Sequence, residues 1–244
     1  DLDEAVSDER GVKYSPDGTR LLNAPEELSG GYTIKSGTKV IGDSAFAWCK
    51  SLTSITIPDS VTIIGDGAFS MCRDLWNITI PASVKEMRGN SFSEWNGWLS
   101  NKSPCFRYED GVLFSKNKDR IIAFRRKDVI SYVIPNSVTS IGSDAFYECH
   151  RLMSITIPYS VTSIGDGSFS SCALRSIKIP DSVTSIGDAA FEWCTSLADI
   201  IIPNTVTDIG DGAFFNCYSL NKKADAEIGR RFGSHVFDYR WRNL

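Results

Sequence analysis

Apolar and polar positions recur along most of this chain with a period of about 23. Residues 152–172 read Leu-x-x-Ile-x-Ile-Pro, then Ser-Val-Thr-x-Ile-Gly-Asp-x-x-Phe-x-x-Cys, and the same skeleton returns at 52–72, 174–194 and 197–217. Cysteines 49 and 72, 149 and 172, and 194 and 217 are each 23 apart, while the step from Cys172 to Cys194 is 22 because one residue is missing before Leu174. A period of this size belongs to a solenoid. In the first half of the repeat, alternation through Ile55 and Ile57 among β-branched neighbours predicts a short strand, ended by Pro58, which has no N–H to donate. In the second half, Gly65 permits a bend and Asp66 stands where an N-cap would serve a short helical turn. Ala68, Phe69 and Cys72 share one face of that turn. The interior of a coil is predicted to hold Val61, Ile64, Ala68, Phe69, Cys72, Leu75, Ile78 and Ile80. One coil cannot close a core, so stacked copies must bury each other's faces. Strands are expected at 32–34, 55–57, 78–80, 132–134, 155–157, 177–179 and 200–202. At about 4.8 Å per strand they make a sheet on the order of 30 Å long.

A longer repeat lies over the short one. Gly11 and Val12 match Gly111 and Val112, Tyr32 matches Tyr132, and Phe46 and Cys49 match Phe146 and Cys149, all at an offset of 100. Each larger unit opens with a different module, and turn signals at Asp110-Gly111 and from Lys116 to Asp119 predict one or two β-hairpins there. The pattern frays after Trp95, which takes the cysteine position, and Trp98, which falls where a leucine belongs; 96–104 reads as a loop. It stops again after Leu220, where 224–232 reads as a helical segment of a terminal cover. The expected layout is a single domain over 1–244: a hairpin module and cap at 11–31, a first repeat set at 32–98, an irregular loop and hairpin insert at 99–131, a second set at 132–220 and a C-terminal cap at 221–244.

A formal net charge of -4 argues against a nucleic-acid or membrane-surface role, which needs a basic face. Residues 1–10 are acidic and polar, unlike a secretory leader, though a leader can already have been removed. Six of the seven cysteines sit at one repeat position. Close pairs typical of metal sites are missing, so the column reads as buried thiols, with a disulfide or zinc array as the rival. His150 follows Cys149, but adjacent residues on a turn point apart, and His235 has no identifiable partner. The triplets Gly-Asp-Gly at 65–67, 165–167 and 210–212 invite a calcium reading. Their spacing, and Ser143 in place of the aspartate, fit capping better. No catalytic residue, metal site or cofactor is expected.

These motifs closely resemble the BspA-like leucine-rich repeats. The matching stretches are Ile164-Gly-Asp-Gly-Ser-Phe-Ser-Ser-Cys172 followed by Leu174, Ile155-Thr-Ile-Pro-x-Ser-Val161, and the module opening at Asp110-Gly-Val-Leu-Phe. The resemblance covers roughly residues 11–220. It implies an α/β leucine-rich repeat solenoid: one parallel β-sheet of short strands, short helical turns opposite, and β-hairpin inserts. It also implies non-enzymatic bacterial proteins that are secreted or displayed on the cell surface, several of them acting in attachment to host proteins or cells. Such kinship predicts architecture better than ligand.

Two sets of residues are candidates for contact with a partner. Exposed aromatics are expected just before the core cysteine, at Trp48, Tyr147, Trp193 and Phe215, with Trp95 and Trp98 nearby; the alternative is packing between turns. Outward positions of the sheet hold Ser54, Thr56, Asn77, Thr79, Ser154, Thr156, Ser176 and Lys178, either a recognition face or a plain soluble surface. The favoured partner is a host matrix protein or glycoprotein, with a glycan second. The rival readings are a self-associating spacer of a larger envelope protein, and a carbohydrate-handling accessory or enzyme using Trp95, Trp98 and Glu94. An enzyme of that kind needs two carboxylates about 5 to 10 Å apart, and no such pair is evident.

Overall fold

The computed structural model of the chain describes residues 2–238. Residues 239–244 of the expected C-terminal cap lie outside that range. The chain is a repeat solenoid with about 23 residues per coil and little helix. It divides into two compact units, Asp1–Glu109 and Asp110–Leu244, where the sequence pattern drew one domain.

Each coil contributes two short strands. The Leu-x-x-Ile-x-Ile segments give Gly30–Thr33, Leu52–Thr56, Asn77–Ile80 and Trp98–Asn101 in the first unit. In the second they give Ser131–Val133, Ser154–Thr156, Ser176–Lys178 and Asp199–Ile201. They pair in parallel, Tyr32 opposite Ile55 and Tyr132 opposite Ile155. A second parallel ladder is built by two-residue strands just before the Gly-Asp bend: Val40–Ile41, Ile63–Ile64 and Glu86–Met87, and then Ser140–Ile141, Ser163–Ile164, Ser185–Ile186 and Asp208–Ile209. Stacking explains it. Any extended piece of a coil lies one strand spacing from its copy, and pairing satisfies backbone groups that burial would otherwise strand.

The side carrying Ala-Phe-x-x-Cys is made of tight turns, with Ala47 N–H donating to Ser44 O at 2.9 Å and Cys49 N–H to Phe46 O at 3.2 Å. These turns do not propagate into a longer helix because two residues per coil are left-handed, such as Ser44 at φ 54° and Trp48 at φ 67°. The left-handed residue turns its N–H toward the next coil, where Trp48 donates to Ser70 O at 2.9 Å and Trp193 to Phe215 O at 2.8 Å.

All eight residues predicted to be interior in the reference coil are buried, each at 1% exposure or less. Phe46, Phe69 and Phe92 stack with centroids 5.6 and 6.2 Å apart, and Phe146, Phe169, Phe191 and Phe214 at 5.1, 5.4 and 5.5 Å. Each ring contributes about 1.5–3 kcal/mol through burial and roughly 0.5–1.5 kcal/mol more through its aromatic neighbour.

Hairpins open both units. In the first, Val6–Ser7, Lys13–Tyr14 and Arg20–Asn23 run antiparallel, and the last then pairs parallel with Val40–Ile41. In the second, Val112–Ser115 pairs antiparallel with Arg120–Phe124, which joins Ser140–Ile141 in parallel. The ladder before the bend thus starts on a hairpin strand. The last coil is covered by the helix Lys222–Phe232, capped by Asn221, whose carboxamide oxygen accepts from Lys223 and Ala224 N–H. Ala224 and Ile228 face the core, and the Arg231 guanidinium donates to Ile202 and Pro203 carbonyls at 2.8 Å. After it, His235 O and Val236 O accept from Gly212 and Phe214 N–H, and the His235 ring meets Ile209 O at 3.2 Å. His235, left without a partner by the sequence pattern, closes the end of the second unit. Among the described residues no helix is long and apolar enough to cross a membrane.

The loop expected at 96–104 is partly a strand. Trp98–Asn101 pairs parallel with Asn77–Ile80, placing Trp98 opposite Asn77 and Leu99 opposite Ile78. Spacing alone puts Trp98 in line with Leu75, but the observed register advances two residues. Leu99, at 3% exposure, therefore fills the isoleucine column, and Trp98 turns outward at 76%.

Candidate functional site

Two of the repeated polar features serve the stack. The cysteine thiols donate to the phenylalanine carbonyl of the preceding coil: Cys72 to Phe46 O at 3.0 Å, Cys172 to Phe146 O and Cys194 to Phe169 O at 3.1 Å, and Cys217 to Phe191 O at 3.0 Å. The column thus needs a small side chain with one donor, and all seven cysteines are free thiols. Burial is the main cause that pushes the Cys72 and Cys217 thiols up to about 12 and Cys49 to about 11, the last with help from Glu26 and Glu27. Cys149 shifts the other way, through a hydrogen bond from Cys172 and the nearby Lys127 ammonium, whose nitrogen stands 3.8 Å from the sulfur. His150 is exposed and meets Ser171 O at 3.0 Å. It makes no pair with Cys149.

The aspartates also link coils. The Asp43 carboxylate accepts from Asp66 N–H at 3.0 Å, Asp166 from Asp188 N–H at 2.9 Å, and Asp188 from Asp211 N–H at 3.0 Å. Each therefore caps its counterpart one coil on, a bond across coils where the sequence pattern suggested a cap within one turn. The glycine before that counterpart is needed for room, since a Cβ at Gly65 would stand 2.5 Å from Asp43 N. Among the described residues no group of three or more His, Cys, Asp or Glu side chains is placed to hold a metal ion.

The surface aromatics differ from one another. Trp48 is 44% exposed with the Lys50 ammonium 4.8 Å over its ring, and Trp193 is 48% exposed and edge-on to Phe215 at 6.2 Å. Tyr147 and Phe215 are half-buried, so much of each ring packs between turns. Trp95 is not a surface residue. It is 2% exposed, packs on Phe92 and donates its indole N–H to Leu75 O at 2.7 Å. It supplies at the cysteine position both a donor and the bulk that the missing leucine leaves unfilled. The reading that used Trp95 and Trp98 together fails on this point, because one faces inward and the other outward.

On the strand side, Ser54, Thr56, Asn77, Ser154, Thr156, Ser176 and Lys178 all point to solvent, and Thr79 is half-buried. A residue missed in the sequence stands with them. Trp76 is 78% exposed, directly after the buried Leu75. Its position carries Thr53, Met153, Arg175 and Ala198 in other coils, so a lone aromatic in a column that keeps no fixed residue type was the available signal. Trp98 N–H donates to Trp76 O at 2.7 Å, which brings the backbones of the two tryptophans side by side in the first unit, Trp76 one residue before its strand. Trp48, Trp76 and Trp98 thus belong to the first unit, and Tyr147, Trp193 and Phe215 to the second.

Among solved structures, a leucine rich cell surface protein from Faecalibacterium prausnitzii is 33% identical with a TM-score of 0.63. The match covers 80% of this chain and 59% of that one, so the present chain spans less than two thirds of its relative's length. The pneumococcal vaccine antigen PcpA (20% identity, TM-score 0.62, 89% of this chain and 69% of that) supports the fold alone. So does a leucine-rich repeat protein from Eubacterium ventriosum (21%, 0.57, 86% and 81%). A search of curated proteins found no match. The description that matches at family level is the BspA type leucine rich repeat region, in 6 copies over residues 31–104 and 121–241. With that much of the chain matched, and two ladders of coils built on the same residues, the protein belongs to the BspA-type leucine-rich repeat family.

Proposed function

We propose that this chain is a non-enzymatic recognition module of a bacterial cell-surface protein, and that it binds a host matrix protein or glycoprotein. The observation that carries this reading is the set of indoles that the first unit leaves in water: Trp76 at 78%, Trp98 at 76% and Trp48 at 44%. A solenoid able to bury Trp95 gains no stability from holding three others outside. Large amphipathic rings on a rigid frame are the usual anchors of an interface, since little freedom is lost when they are covered. The similarity to a Faecalibacterium cell surface protein supports the location. The aromatics of the second unit, Trp193 with its edge partner Phe215, are a second and smaller contact region.

The test is binding of the purified chain, held by one terminus, to a panel of matrix proteins and glycoproteins. Saturable binding that falls at least tenfold on Trp76→Ala or Trp98→Ala, with circular dichroism unchanged, is expected. Binding lost only on Trp48→Ala and Trp193→Ala would move the site to the turn corners. Concentration-dependent self-association with no foreign ligand would replace recognition by the spacer role.

A further inference from the structure

We infer that the strand face of the first unit, centred on Trp76 and Trp98, takes an uncharged glycan chain. The inference rests on the recognition reading above and names the chemistry of its ligand. Its basis is the composition of one surface. On the strands Leu52–Thr56, Asn77–Ile80 and Trp98–Asn101, and at the residue just before the second, the outward residues of the first unit are Thr53, Ser54, Thr56, Trp76, Asn77, Thr79, Trp98 and Ser100. None of these carries a charge, in a chain with 23% charged residues. The corresponding face of the second unit differs, with Arg175, Lys178 and Asp199 all exposed there.

The geometry fits a sugar. Trp98 lies in register with Asn77, and its N–H is bonded to Trp76 O, so the two tryptophans are neighbours across parallel strands whose backbones are about 4.8 Å apart, Trp76 one residue before its strand begins. A pyranose ring offers a flat array of C–H groups on one face and hydroxyls around its rim. The C–H face is attracted to the electron-rich face of an indole. The rim is served by groups that both donate and accept, here the Asn77 carboxamide and the hydroxyls of Thr56, Thr79 and Ser100. Charge matching points the same way. A sulfated, sialylated or uronic-acid chain calls for cations, and these strands hold none, the exposed Lys102 standing past the end of the third. The two-residue advance of register creates the site, since it turns Trp98 from the leucine column to the surface.

The experiment measures binding of the full chain to galactomannan, hydroxyethyl cellulose and dextran, with dextran sulfate as the charged control, by tryptophan fluorescence and affinity electrophoresis. Saturable binding to at least one uncharged polymer is expected, weakened at least tenfold by Trp76→Ala and by Trp98→Ala and unchanged by Tyr159→Ala at an exposed ring of the second unit, with no preference for dextran sulfate. No binding to any uncharged polymer, or binding indifferent to Trp76 and Trp98, overturns the inference. A matrix glycoprotein treated with glycosidases separates the two levels. If it still binds and the binding is lost on Trp76→Ala, the glycan assignment fails while recognition stands. If neither form of the glycoprotein nor any polymer binds, both fail.

Discussion

Raising the pH should unfold this protein through its cysteine ladder. Cys49, Cys72, Cys172, Cys194 and Cys217 are buried, and burial is the first cause that lifts each thiol above its ordinary value of 9.0. For Cys72 and Cys217 the folded value reaches about 12. Below pH 9 both folded and unfolded chains keep these protons, and the stability is fully present. Between about 9 and 12 only the folded chain keeps them, so stability is lost as pH rises. At pH 10 each of Cys49, Cys72 and Cys217 costs about 1.4 kcal/mol, roughly 4 kcal/mol together, a large share of the stability of a typical domain, with Cys172 and Cys194 acting in the same direction. Cys149, whose value is lowered, acts in the opposite sense and offsets a small part. The assay is urea unfolding at pH 7.5, 9.0, 9.5 and 10.0 under reducing conditions, followed by circular dichroism. Its slope against pH reports the protons released on unfolding. Replacing Cys72 and Cys194 by alanine should reduce the slope above pH 9, leaving the raised Tyr14, Tyr32 and Tyr132 to act at the alkaline end, even though it lowers stability at pH 7.5. A slope unchanged in that variant would refute the reasoning and assign alkaline unfolding to other groups.

Other expectations follow from single contacts. Trp95→Ala should cost about 3–5 kcal/mol in denaturant midpoint terms, whereas Trp76→Ala and Trp98→Ala should stay within about 0.5 kcal/mol. Ala189 is left-handed at φ 53°, where other coils carry Gly67, Gly167 and Gly212. Ala189→Gly should therefore stabilise by about 0.5 kcal/mol, the relief of the left-handed penalty less the added chain entropy. Asp188→Ala should lower stability by about 1 kcal/mol through the lost bond to Asp211 N–H, and calcium or a chelator should leave the melting temperature of the parent chain unchanged. Lys127→Met removes the ammonium beside Cys149, so alkylation of that thiol, followed by mass spectrometry after brief exposure at graded pH, should move to higher pH. An unmoved profile would give the shift to Cys172 alone.

Much of the fold was legible in the chain because a repeat states its rules many times. The eight interior positions of one coil, the hairpin modules and the covering helix could all be marked from spacing and turn residues. The ladder before the bend was not, since a two-residue strand has no periodicity of its own and exists only where a copy lies beside it. The aspartate column was seen but assigned to its own turn, because the sequence cannot tell a bond within a coil from one across coils. Of the candidate surface, Trp48 and Trp193 are exposed at 44% and 48%. Trp95 and Trp98 were grouped although they face opposite ways, and Trp76 was passed over.

The sequence by itself thus determined the period, the residues that must face inward and the solenoid they build. An apolar residue repeated every coil has nowhere to go but a shared core. Only the tertiary structure decided the register at Trp98–Asn101, and with it which indole is buried and which is offered to a partner. The advance takes Trp98 from the buried leucine position ahead of the strand to the outward position of Asn77 within it, and gives Leu99 the inward position of Ile78. That choice is made by packing around Trp95 and Leu99, which no local pattern records.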